Sequence, residues 1–400
     1  MQRTNIIKLK PNKVQKKILK ECMLLSSCVY NQANYIIRQQ FFNKEKISYF
    51  YDLQKKLQNT EDYKLLGRSY ALPRIQIYAE TNSARFKLIK NKTQKRVGLP
   101  KYLKNRKTNT TIPSYLVIDN CQYSIDKNKV TIPLSRSMRK KYNIKHFKLD
   151  YNGILKWKGL QKRGQIHFKD GKFYFYQSVE PKEPKQIKSK ITAGIDLGIK
   201  KLIAIKINNN EDKIIRSKRH YKQWMYYTNL IAKEQSELAK INRKCSRRLS
   251  KLFSMRKKWQ NNLYNNLVAK AFKVLQRNNV AKLIVGDISH IRDDNDKGKR
   301  LNQMMHNYWS FDLIYHKLQN KAEEFGIELQ RVTEEYTSRA CPICGDDSKS
   351  NNKDRIFCCS FCGYIDHRDI VGARNIMLKS MYGSIESIHW NETVPLLGGA

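Results

Sequence analysis

The stretch 191-ITAGIDLGIKKLIAIKI-207 decides how the second half of this chain is read. It holds two apolar runs joined by a tight, glycine-containing turn, the pattern of paired, buried strands. Asp196 interrupts the first run. A carboxylate in such a strand is costly to bury unless it is paired or binds a cation, so Asp196 is a candidate metal ligand. Taken alone the signal is weak, because many folds place an aspartate at a strand end. Toward the C-terminus, residues 217–279 read as one long helical stretch with a stripe of Leu238, Ile241, Cys245, Leu249 and Leu252. A buried strand follows at 282–288, then the polar segment 292-RDDNDKGKRLNQ-303, which reads equally as a mobile lid or as an ordinary surface loop. A helix over about 308–325 stops at Gly326, a good C-terminal cap, and 327-IELQRVTEEYT-337 reads as a further strand. Strands alternating with helices predict an α/β sheet.

Toward the N-terminus the periods differ. Residues 180–190 read as a linker. From about 110 to 180 the chain is β-rich, and Asn152-Gly153 and Asp170-Gly171 are hairpin signals because both tolerate positive φ. This predicts a small antiparallel barrel or curled sheet. Residues 96–107 form a basic connector, and helical patterning covers about 11–93. Ile18, Cys22, Leu25 and Val29 share one helix face there. Residues 3–10 read as a single strand.

The chain has 400 residues, room for two or three domains with real cores. Lys and Arg number 79 against 34 Asp and Glu, a net charge of +45. Such an excess predicts a polyanionic partner, because each neutralised phosphate releases condensed counterions. Arg243, Lys244, Arg247, Arg248, Lys251, Arg256, Lys257 and Lys258 crowd one helical stretch with few anions nearby, which favours a phosphate-facing surface over a merely solvated one. No long apolar run or amphipathic terminal anchor points to a membrane, and no secretory signal is evident. Nine cysteines, four of them clustered, suit a reducing compartment.

The strongest chemical signal is Cys341-x2-Cys344 and Cys359-x2-Cys362, separated by 14 residues. Each knuckle can aim two thiolates at one tetrahedral ion, and two knuckles close the site, so one structural zinc is expected. Gly345 and Gly363 follow the second cysteine of each knuckle, as the turns require. Cys358 would make a less regular knuckle. Downstream, 367-HRDIVGARNI-376 places Asp369 at the start of a helix that buries Ile370, Ala373 and Ile376. On that stretch alone, an N-cap is the plainer role for Asp369.

In this order, 193-AGIDLGIKKLIAI-205, 336-YTSRACPICG-345 and 361-FCGYIDHRDIVGARNI-376 resemble the TnpB/Fanzor family of RNA-guided nucleases, relatives of type V CRISPR effectors. The resemblance extends over about 190–380; residues 1–180 match only in layout. It implies a multidomain α/β protein with a β-barrel and a helical lobe. Residues 1–10 and 108–182 would form a wedge-like barrel and 11–107 a helical recognition lobe. Residues 190–340 and 363–380 would form an RNase H-like (RuvC) nuclease domain, with a zinc ribbon inserted at 341–362 and a tail at 381–400. It further implies a guide RNA, a target double-stranded DNA read beside a short flanking motif, two catalytic Mg²⁺ ions and a monomeric ribonucleoprotein. The address would be bacterial cytoplasm and nucleoid, or a nucleus for a eukaryotic or viral host.

Family members supply Asp, Glu and Asp to the metals. Asp196 and Asp369 match the first and third positions, but the glutamate position falls on Gly286. Asp287 is adjacent, yet neighbouring strand residues face opposite ways. One branch of the family moves the glutamate to just before the Tyr-Thr-Ser that precedes the first knuckle, and Glu334 matches that place. The resemblance therefore implies Asp196, Glu334 and Asp369 as catalytic magnesium ligands, with Glu335 and Asp287 as the alternatives for the middle one. Glycine at 286 would leave room for the relocated side chain. Two rivals remain: a nuclease-inactive RNA-guided repressor, and a zinc-ribbon DNA-binding transposition accessory that uses no guide.

Overall fold

The computed structural model describes residues 1–90, 97–198, 202–216, 219–287, 302, 308–334, 337–346 and 355–383. The chain forms two compact units, 1–182 and 183–400.

In the first unit, β1 (Arg3–Leu9) leads through Pro11 into α1 (Lys13–Phe42). Asn12 caps α1: its side chain accepts from the Gln15 N–H at 2.9 Å, and Gln15 returns a bond to the Asn12 N–H. This reciprocal box satisfies two donors that a helix start leaves open. Ile18, Cys22, Leu25 and Val29 are all buried, against α2 (Phe50–Leu57), α3 (Glu61–Leu66) and α4 (Arg68–Lys90). The strands β2 (Leu116–Ile118), β3 (Ser124–Ile125), β4 (Lys129–Ile132), β5 (Phe147–Asn152), β6 (Leu160–Lys169) and β7 (Lys172–Glu180) form one antiparallel sheet with β1, in the order β2-β6-β7-β1-β5-β4-β3. A short helix, α5 (Arg136–Tyr142), joins β4 to β5.

The two edge strands of this sheet are consecutive in sequence. Six strand intervals span about 29 Å in a flat sheet, whereas the six residue steps from Ile118 to Ser124 reach at most about 21 Å. The sheet is therefore curled, although no ladder among the described residues joins β2 to β3. Asp170 (φ 52°) and Gly171 (φ 73°) make the β6–β7 hairpin as expected. Asn152-Gly153 does not make one. β1 occupies the place beside β5, with Lys8 opposite Asn152, so the chain leaves the sheet at Gly153 and re-enters as β6, with β1 and β7 in between.

The second unit is built on β8 (Thr192–Asp196), β9 (Ile203–Ile207), β10 (Asp212–Ile215), β11 (Lys282–Asp287) and β12 (Glu328–Thr333), in the order β10-β9-β8-β11-β12. β8, β11 and β12 are parallel; β9 is antiparallel to β8, and β10 antiparallel to β9. Ala193, Ile195, Ile203, Ile205, Leu283 and Val285 share one core with α7 (Arg247–Arg277) and α8 (Phe311–Phe325). Ile284 and Ala204 belong to clusters on the opposite face, under α9 (Arg368–Tyr382). By the two-residue strand period, Gly194, Asp196 and Gly286 also face α9. α8 ends on Gly326 at φ 68°, the left-handed cap the sequence predicts.

The expected continuous helix over 217–279 is instead a hairpin of α6 (His220–Lys240) and α7. Asn242 takes φ 51° and Ser246 caps α7, accepting from the Leu249 N–H at 2.9 Å. Folding back lets Ile231, Leu238, Leu249 and Leu252 bury one another, while Ile241 and Cys245 of the expected stripe lie exposed in the turn. Residues 288–301 and 303–307 lie outside the described residues, and with them nearly all of the expected lid, as do Glu335 and the tail beyond 383.

Candidate metal centres

Asp196 ends β8 on the face covered by α9. The helix approaches closely because both surfaces carry glycine there. A Cβ added to Gly194 would collide with the Ala373 carbonyl, and one added to Gly372 would sit 2.9 Å from Asp196 Oδ2. Glu334 lies just past β12, two residues beyond Val332, which is paired with Gly286. Its side chain fills the space that a side chain at 286 would need: a Cβ there would lie 2.6 Å from Glu334 Cγ and Cδ. Glu334 Oε1 is buried without a hydrogen-bond partner among the described residues.

Burial pushes the Asp196 carboxyl up to about 7, with the Asp369 charge adding to the rise and the Arg368 and Arg355 guanidiniums opposing it. Burial likewise raises Glu334 to about 8, helped by the charges of Asp196 and then Asp287. Desolvated like charges favour the protonated form, and a cation reverses that preference.

Asp369 stands in the first turn of α9, but it is not the cap. His367 is: its Nδ1 accepts from the Asp369 N–H at 3.2 Å. That frees the Asp369 carboxylate, which takes a 2.8 Å ion pair from Arg355 Nη1. Asp287 turns to the neighbouring strand and pairs with Arg331 at 2.6 Å, consistent with its opposite strand parity. Asp196 thus interacts electrostatically with both Glu334 and Asp369, while Asp287, whose charge also reaches Glu334, is paired with Arg331.

Two residues that hold this cluster were not singled out from the sequence. Asn375, fully buried on α9, donates to the Thr337 and Ala340 carbonyls at 2.8 Å each. Thr337 in turn donates through its hydroxyl to the Glu334 carbonyl at 2.8 Å. Asn375 thereby ties the Glu334 segment and the first knuckle to the helix that bears Asp369. A buried amide on the apolar face of 367-HRDIVGARNI-376 was the available signal. The other is Arg355, which precedes the second knuckle and had no distinguishing context in sequence.

The four predicted cysteines converge. Their sulfurs all lie within 4.8 Å of one another, with Cys341–Cys362 and Cys344–Cys359 at 3.6 Å. Gly345 (φ 78°) and Gly363 (φ 72°) close the two turns, donating to the Cys341 and Cys359 carbonyls. Cys358 lies in β13 (Ile356–Cys358), outside the cluster. Burial raises the Cys341 and Cys344 thiols, so a cation entering here releases protons. Four sulfurs with no open position are the donor set of a structural zinc site.

A "Probable transposase" family model matches residues 175–292, and a "Cas12f1-like, TNB domain" model matches 311–376. TnpB-like protein ORF457 of Acidianus two-tailed virus is 26% identical over 420 residues, 95% of this chain and 87% of that protein. The chain is related to the TnpB-like proteins. A further relative is the CRISPR-associated endodeoxyribonuclease Cas12f1 of Sulfoacidibacillus thermotolerans, 35% identical over 96 residues, 24% of this chain and 21% of that protein. The fold is shared with the protein in a cryo-EM structure of a Cas12f1–sgRNA–target DNA complex. The TM-score there is 0.59 at 17% identity, covering 91% of this chain and 83% of that one.

Proposed function

We propose that this chain is an RNA-guided DNA endonuclease with an RNase H-like (RuvC) nuclease domain. The observation that carries the reading is the Glu334 carboxylate, whose buried Oε1 has no hydrogen-bond partner among the described residues, seated in the gap at Gly286 and electrostatically joined to Asp196. Such a group is stable as an anion only with a cation beside it. Asp196, Glu334 and Asp369 would hold a pair of Mg²⁺ ions, and Cys341, Cys344, Cys359 and Cys362 one Zn²⁺. When bound, the magnesium pair supplies charge stabilisation to the attacking and leaving oxygens of phosphodiester hydrolysis. The chain's own part is positional: three segments fix the carboxylates, and α9 excludes water from beneath them.

Residues 1–10 and 108–182 would serve as a wedge-like barrel and 11–107 as a helical recognition lobe. The zinc ribbon would be 341–362, and the nuclease domain 190–340 with 363–380. Exposed Arg247, Lys251, Lys257 and Lys258 on α7 would hold nucleic-acid phosphates. Guide RNA would read the target strand by base pairing, while the protein, as a monomer, would read a short motif in the flanking duplex. The names of the two relatives, one TnpB-like and one an endodeoxyribonuclease, support this class of activity.

The test is Glu334→Gln in the guide-loaded protein with Mg²⁺. Cleavage should fall by at least about 10²-fold, since even outer-shell partners of a bound metal cost 10- to 100-fold when lost, while target binding persists. Cleavage at the wild-type rate would overturn the site. A wild-type complex that binds its target and never cuts would instead establish an inactive, guided binder.

A further inference from the structure

Arg355 links the two centres. It takes φ 67°, a left-handed conformation that a long side chain adopts only when its surroundings impose it. Directly after it, β13 runs to Cys359 of the second knuckle. β13 pairs antiparallel with β14 (Ile365–His367), and Ile356 lies opposite His367. This register sets Arg355 across from the start of α9, and its guanidinium reaches Asp369 Oδ2 at 2.8 Å. His367 Nδ1 also lies near that oxygen, at 3.7 Å. A guanidinium at this spot puts positive charge against the carboxylate oxygen where a metal ion would coordinate it.

We propose that Arg355 is a resident counter-cation of the acidic cluster, held there by the zinc knuckles, and that a divalent ion must displace it from Asp369 to bind. The inference rests on the reading of Asp196, Glu334 and Asp369 as a cation site. Arg355 then positions Asp369 while the site is empty and competes with metal for it. The contact is part exposed, so the competition is modest, about fivefold by the upper range measured for screened ion pairs.

The experiment measures Mn²⁺ binding to the guide-free, zinc-loaded full chain by the loss of free-ion EPR signal. Arg355→Ala and Arg355→Gln should each bind Mn²⁺ about fivefold more tightly than wild type, Arg355→Lys close to wild type. The gain should vanish when Asp369→Asn is added. Equal or weaker binding in both neutral variants overturns the proposal, as does loss of zinc in both, which would make Arg355 a structural part of the ribbon. Absence of Mn²⁺ binding in wild type and variants alike overturns the cation-site reading itself, and this inference with it.

Discussion

At position 286 the missing side chain does the positioning. Gly286 is buried on β11, facing α9, and Glu334 from the next strand occupies the volume above it. The carboxylate is at the end of a flexible side chain, so a methyl group at 286 need not break the strand; it displaces Glu334 instead. Gly286→Ala should therefore leave thermal stability nearly unchanged, within about 1 kcal/mol for a small overpacking that a mobile neighbour absorbs. Nuclease activity in the same variant should drop at least about tenfold, because a ligand set is sensitive to sub-ångström displacement. Thermal melts and cleavage rates on one preparation check the pair; a folded, fully active variant would mean that Glu334 is not needed where it sits. The pairing of a strand glycine with a glutamate 48 positions later was visible in sequence only through the family resemblance. No propensity or period connects the two positions.

At the scale of elements, the decisive contact is α9 on β8. Gly194 and Gly372 let helix and strand approach, and Asp196 and Asp369 follow from that approach. A methyl group at Gly194 meets the Ala373 backbone, which cannot swing aside. Gly194→Ala should cost about 2–3 kcal/mol, the upper part of the overpacking range, and lower the melting temperature of the second unit. A melt indistinguishable from wild type would show that the helix packs less closely. Helix and strand periods alone placed β8, β11, β12, α8 and α9 within a few residues of where they are. The α6–α7 hairpin escaped that reading, because a helical stripe continues in phase across 241–245 while the chain turns at Asn242. Nothing local distinguishes a stripe that faces a core from one that folds back on itself. Arg256 was read with the phosphate-facing cations for the same reason. It is instead half-buried, lying over Phe253 at 5.3 Å and bonded to Thr228.

Across the whole molecule, the net charge of +45 is the dominant fact. Much of it is exposed, as on the outer face of α7. If nucleic acid neutralises it, affinity for guide and target should fall about 10³-fold between 50 and 200 mM salt, the loss expected when six or more phosphates are contacted. A titration in which affinity barely responds to salt would remove the electrostatic argument. The sequence by itself determined the charge, the succession of β8, β9, β11, α8, β12 and α9 in the second unit, and the cysteine spacing that makes a four-sulfur cluster. Each of these follows from composition or from contacts close along the chain. Only the tertiary structure decided which acid stands over Gly286, which arginine holds Asp369, and that β1 separates β5 from β6. Those outcomes join residues far apart in sequence, and they depend on sheet order and close helix packing, which no local pattern encodes.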